Sequence, residues 1–181
     1  MILSDSELVE MLREPRTRRE GFAVLVKQYS EKLYWKVRRI VLSHEDANDV
    51  LQNVFIKVWN NLQNFQGKSS LSTWLYRIAI NESLDFLRKQ KMADMVSSDE
   101  DLSVSSRLMS DEYFDGDEIQ ARLQEAVARL PEVQRTVFNL KYFEEMKYSE
   151  ISQILNTSEG ALKASYHLAV KKITEYLHLF D

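Results

Sequence analysis

Residues 148–173 read YSEISQILNTSEGALKASYHLAVKKI, and this stretch decides the fold. Residues 148–155 have the pattern of a short helix, Asn156 and Thr157 that of a turn, and Ser158 is placed to cap a longer helix beginning at Glu159. Two helices joined by so short a turn make a helix-turn-helix, whose second helix enters the major groove of DNA. On that helix Glu159, Gly160, Lys163, Ala164 and His167 fall toward the groove, with Lys171 and Lys172 toward phosphates. An ordinary αα-hairpin is the alternative, since short helix pairs are common and this turn lacks the glycine often found there.

Working outward, the rest of the chain is also helical. Only four Gly and two Pro occur in 181 residues, and apolar residues recur mostly at three- and four-residue spacing, which predicts an all-α fold. Ser4 or Asp5 caps a short helix ending before Pro15. Helices are expected over 18–42, with Phe22, Leu25, Val26, Tyr29, Leu33, Val37 and Ile40 on one side, and over 44–62 and 71–91. Four more follow, over 118–130, 132–143, 147–155 and 159–179.

Between these groups the composition changes. Residues 94–118 hold nine acids against one base, Arg107, a local formal charge of −8 within a chain of net charge −4, which leaves the remainder at +4. A serine cluster (Ser97, Ser98, Ser103, Ser105, Ser106) occupies the same stretch, which lacks helical periodicity. Such a segment does not bury enough apolar surface to order itself and is expected to be a flexible, solvated linker. The expected organisation is therefore two small helical domains, 1–91 and 118–181, joined by an acidic linker over 92–117. Whether the acidity has a task or the linker is only a tether stays open at this point.

No apolar run is long enough for a membrane span or a secretory signal, so a cytoplasmic protein without membrane insertion is expected. With no cysteine and three dispersed histidines, His44, His167 and His178, no metal, cofactor or redox role is expected.

Two helices of the first half carry organised polar faces. Advancing about 100° per residue along 44–62 gathers Ala47, Val50, Leu51, Val54, Phe55, Val58 and Leu62 into a core-facing stripe. Asp46, Asp49, Gln52 and Asn53 share the other side, with Ile56 and Trp59 on or beside it. An aliphatic and an aromatic among short acids and amides suit a protein-docking surface; the alternative is a solvated side with Trp59 folded onto the core. Along 71–91, Trp74, Arg77, Asn81, Asp85 and Arg88 fall within about a third of the circumference, and Lys89 and Lys91 extend the basic end. Arginines hold phosphates, an asparagine amide reads a base edge, and an aromatic stacks on an unpaired base. The preceding loop, NFQGKSS over 64–70, has small polar groups suited to enclosing an extruded base. A capped surface helix with Trp74 in the core is the competing reading.

Taken together these segments resemble the ECF family of RNA polymerase sigma factors, over nearly the whole chain apart from the linker. DANDVLQNVFIKVW (46–59) is similar to the part of sigma region two that docks on the clamp helices of the polymerase largest subunit. The resemblance assigns Asp46, Asp49, Gln52, Asn53, Ile56 and Trp59 to core binding. STWLYRIAINESLDFLRKQK (72–91) resembles the segment that melts and reads the minus-ten element. Lys68, Ser69, Trp74, Arg77, Asn81 and Arg88 are the matching positions. LPEVQRTVFNLKYFEEMKYSEISQILNTSEGALKASYHLAVKKI (130–173) looks like region four, which binds the minus-thirty-five element and the flap of the second-largest subunit. There the candidates are Ser158, Glu159, Gly160, Lys163, His167 and Lys171. This chain departs from the family where arginines are frequent: its recognition helix has Ser165, Tyr166, His167, Leu168 and Val170.

The resemblance implies a transcription initiation factor that binds core RNA polymerase and promoter DNA, opens DNA at minus-ten, leaves catalysis to the polymerase and is restrained by an anti-sigma factor. It also implies the minimal two-domain type. Three other readings compete, one of them an adaptor that only binds protein, which full-length DNA affinity would separate from a competent sigma factor. A stand-alone helix-turn-helix regulator usually dimerises on paired half-sites, and the sequence offers no dimerisation helix. An all-helical enzyme would need metal carboxylates, yet Asp46 and Asp49 have no second acidic pair or histidine partner.

Overall fold

The computed structural model describes residues 2–94 and 116–180. They form two compact units, 2–94 and 116–180, and every regular element among them is helical. The expected linker lies, for 95–115, outside the described residues.

In the first unit, α1 (Asp5–Arg13) starts at a capping box in which the Ser4 hydroxyl accepts from the Glu7 N–H and the Glu7 carboxylate accepts from the Ser4 N–H. Its last carbonyls are taken up from outside: the Thr17 hydroxyl donates to Met11 and the Arg18 guanidinium to Leu12 and Arg13. The helix lies close on α2 (Arg18–Val41), and Gly21 permits this, since a Cβ there would come within 2.8 Å of the Met11 Cβ. At the far end Leu42 adopts a left-handed conformation (φ 69°), and the buried Arg38 guanidinium donates to its carbonyl. The chain turns there into α3 (His44–Asn61), capped by Ser43. The Tyr34 hydroxyl and His44 Nδ1 share a hydrogen bond of 2.8 Å across the same corner.

A 3-10 turn at Leu62–Asn64 and a loop lead to α4 (Leu71–Asp94), which packs on both α2 and α3. Leu25, Leu33 and Val37 of α2, Val50, Val54 and Val58 of α3, and Leu71, Leu75, Ala79 and Ile80 of α4 are all essentially inaccessible. The expected α3 stripe is thus the buried one, with Leu51 and Phe55 at its half-buried margin. α4 continues past 91, because Met92 and Ala93 are good helix formers with nothing to interrupt them.

The second unit opens with Asp117, whose carboxylate caps α5 (Glu118–Ala128) by accepting from the Gln120 N–H. α6 (Glu132–Phe138) follows Pro131. The sequence predicts one helix over 132–143, but the chain widens into a π turn at Asn139–Phe143, closed by Glu144 N–H donating to the Asn139 carbonyl. Phe138 stacks on Tyr142, its ordinary i,i+4 neighbour, and also meets Phe143 edge-on, an i,i+5 contact that a 3.6-residue period does not provide. α7 (Tyr148–Leu155) and α8 (Glu159–Leu177) complete the unit. Its core gathers Ala126, Val127, Leu130, Phe138, Ala169 and Ile173.

Candidate polymerase-docking and nucleic-acid interfaces

The α3 surface follows from helix geometry. With Ala47, Val50, Val54 and Val58 buried against α2 and α4, the opposite side must face outward, and Asp49, Gln52, Asn53 and Ile56 are exposed there. Asp46 is half-buried near the helix start. Ile56 is 58% accessible and Trp59 39%. The Trp59 ring meets Phe22 at 5.0 Å, edge-on, so it is anchored on the body of the unit while part of it stays in solvent. An aromatic held this way loses little rotamer freedom when a partner covers it, which suits an interface anchor.

On α4 the predicted stripe lies together, opposite the buried Leu75, Ala79 and Ser83. Asn81 and Arg88 are exposed; Trp74 and Arg77 are half-buried. Trp74 is not in the core: its ring lies tilted against Phe65 of the preceding loop, centroids 5.1 Å apart. That contact joins the loop to the helix. The loop bends at Gly67 (φ 69°), and the Ser70 hydroxyl accepts from the Thr73 N–H at 3.1 Å to cap α4. Lys68 is exposed and Ser69 half-buried within it.

Two electrostatic details escape the sequence. Arg88 forms an ion pair with Asp85 at 2.8 Å, so this cation is partnered in the free protein, although an exposed i,i+3 pair costs little to release. The Arg77 Nε is buried with no hydrogen-bond partner among the described residues. An unsatisfied buried donor is costly to the free protein.

In the second unit the helix-turn-helix is formed without glycine. Asn156 ends α7 in the left-handed region (φ 50°), one of the few residue types that enters it at low cost, and its N–H donates to the Ser152 carbonyl. The Ser158 hydroxyl then caps α8 by accepting from the Ala161 N–H at 3.3 Å. The two helices pack on each other, and Ile151 and Leu162 on them are fully buried. Ser158, Glu159, Gly160, Lys163, His167 and Lys171 are all exposed.

Sequence reasoning missed the aromatic and cationic cluster beside them. Tyr148, at the start of α7, has the Lys141 ammonium 4.8 Å and the Lys163 ammonium 5.7 Å from its ring centroid. Tyr166 meets it edge-on and stacks on Phe138. The π turn aims Lys141 there, and no local sequence signal announces that turn.

Among the described residues no group of three or more His, Asp or Glu is placed to hold a metal ion, and no helix is long and apolar enough to cross a membrane.

Comparison with known proteins agrees with this geometry. The family models of Sigma-70 region 2 and Sigma-70 region 4 match residues 25–92 and 120–173. The ECF RNA polymerase sigma factor SigW of Bacillus subtilis is 33% identical, covering 82% of this chain and 84% of the relative. The RNA polymerase sigma-H factor of Pseudomonas aeruginosa is 31% identical over 96% and 93%. In fold, the chain is similar to the sigma factor RpoE in its complex with the anti-sigma factor NepR from Bartonella quintana, with a TM-score of 0.68, 21% identity, and coverage of 88% and 98%. CnrH in complex with the cytosolic domain of CnrY gives a TM-score of 0.64 at 19% identity, over 98% and 96%. Two helical units with the region 2 and region 4 matches in that order, and a relative one-third identical along most of both chains, establish that the protein belongs to the ECF RNA polymerase sigma factors.

Proposed function

We propose that the two units of this sigma factor bridge core RNA polymerase and promoter DNA, with residues 1–91 docking and opening DNA at minus-ten and residues 118–181 holding the minus-thirty-five duplex. The outward face of α3 carries the reading: Ile56 is 58% accessible beside the anchored Trp59 and the exposed Asp49, Gln52 and Asn53. Such a mixture of apolar anchors and short polar groups favours protein docking over plain solvation.

The minus-ten step falls to the loop and α4. Opening costs unstacking and unpairing, so this surface must stabilise the extruded base and single strand more than it does duplex. Trp74 offers a stacking face, Asn81 an exposed amide, and Lys68, Arg77 and Arg88 positive charge for phosphates; Ser69 lines the loop. In the second unit Lys163 and Lys171 contact phosphates, while Ser158, Glu159, Gly160 and His167 lie at the groove. RNA synthesis stays with the polymerase, no cofactor is required, and the protein works in the cytoplasm. The acidic 92–117 linker passes through the positively charged RNA exit path; unchanged abortive initiation and promoter escape after its acids are replaced by Ser and Gly would reduce it to a tether. An anti-sigma factor competes for the docking surfaces, which is supported by the complex with the anti-sigma factor NepR in which one fold neighbour was solved. A stand-alone regulator is not favoured, because the relatives match across both units.

The test is run-off transcription with purified bacterial core polymerase, with and without this protein, on DNA from upstream of its own gene. Discrete new transcripts that disappear with Asp49→Lys are expected. Absence of core binding would overturn the proposal.

A further inference from the structure

The surface of α8 shows how this chain differs from an arginine-rich reader. Leu162, Ala169 and Ile173 fix the core side of the helix at 0%, 0% and 5% accessibility. At about 100° per residue, Gly160, Ala164, His167 and Lys171 fall on the opposite side. Ala161, Leu168 and Lys172 form one shoulder and Lys163 the other, and all of these are exposed. Leu168 is 46% accessible, an aliphatic side chain in the third turn of a groove-facing helix. Gly160 adds to the apolar character: a Cβ there would meet no atom within 4 Å, so packing does not require the glycine.

Guanine is read most often by a bidentate arginine or lysine reaching O6 and N7. The segment EGALKASYHLAVKKITEYL contains no arginine. Its cations are three exposed lysines, Lys163 5.7 Å from the Tyr148 ring, Lys171 4.0 Å from the Glu175 carboxylate, and Lys172 one turn beyond Leu168, placed for phosphates and not as guanidinium forks. Ahead of Lys172 that shoulder presents methyl and isobutyl surface, and the group in the major groove that matches it is the thymine C5-methyl. Ala161 and Leu168 are separated by about 10 Å along the axis, close to three base-pair steps of about 3.4 Å.

We propose that α8 reads the minus-thirty-five element through thymine methyl groups, with Leu168 and Ala164 as the specificity-determining residues and Ala161 as their neighbour, in place of guanine-directed forks. The assignment rests on the helix-turn-helix reading above and names the base class it recognises.

The experiment selects the upstream element from a randomised duplex library with the full chain bound to core polymerase. Deoxyuridine then replaces thymidine, one position at a time, in the selected duplex. Each contacted methyl that is removed is expected to weaken binding about fourfold, the equivalent of one buried methyl. With Leu168→Ala at least one of those positions becomes insensitive, and Leu168→Arg shifts the preference there toward guanine. Leu168 is exposed, so unchanged helicity by circular dichroism is expected for both variants. Selected DNA that binds equally with and without its methyls overturns the thymine reading and leaves the helix-turn-helix in place. Failure to select any upstream sequence, with Lys163→Ala also without effect, overturns both.

Discussion

Truncating Ile56 to alanine separates docking from folding, because its side chain is divided between the two. Complete burial of an aliphatic side chain stabilises by about 1.5–3 kcal/mol, and Ile56 leaves 58% of itself exposed in the free protein. A partner covering that remainder gains about 1–2 kcal/mol from this residue. Its loss should raise the dissociation constant for core polymerase about five- to thirtyfold. The part already buried contributes less to folding, so Ile56→Ala should cost the first unit only about 1 kcal/mol. Both quantities are measurable on the intact chain. Core affinity is followed by fluorescence anisotropy of labelled protein. Unfolding of the first unit is followed by urea titration of tryptophan fluorescence, since all three tryptophans, Trp35, Trp59 and Trp74, lie in it. A dissociation constant within about twofold of the unmodified protein, less than 0.5 kcal/mol, would refute the docking assignment of the outer α3 face. A folding loss above about 2 kcal/mol, more than the buried part of the side chain supplies, would refute the separation of docking from folding.

Other perturbations test the packing and charge. Gly21→Ala forces a Cβ to within 2.8 Å of the Met11 Cβ and near the α1 backbone, so the first unit should lose about 1–3 kcal/mol in the same urea titration despite the better helix propensity. Burial, with help from Arg39 and Lys32, lowers the Lys36 ammonium to about 8, while the group stacks 4.0 Å over Tyr76. The cost of burying this charge is therefore fully present below pH 8 and fades as pH rises toward the ordinary value of 10.5. Relative to Lys36→Met, the unmodified protein should gain stability across that window by roughly 1 kcal/mol, solvent screening and the Tyr76 contact reducing the effect. Urea titrations of both proteins at pH 7 and pH 10 check it, and an unchanged difference refutes it. Lys163→Ala should lower the salt dependence of holoenzyme binding to upstream duplex by about one unit of log–log slope and leave core affinity unchanged.

The sequence alone determines most of the helices, because caps and apolar periodicity depend on residues within a turn or two of one another. Ser4 and Ser158 mark helix starts in the chain and cap them in the fold. The outward face of α3 follows from its apolar stripe, and the exposed candidates of α8 follow from Ser158. Only the tertiary structure decides how Trp59 rests on Phe22, how Trp74 rests on Phe65, and that Arg88 is paired with Asp85. It also decides the π turn that brings Lys141 to Tyr148, where Lys163 arrives from another helix. A helical period specifies which way a side chain points along its own axis, but what it meets there depends on contacts closed by other elements. Those contacts turn a polar stripe into a surface with some cations engaged and some apolar groups left for a partner.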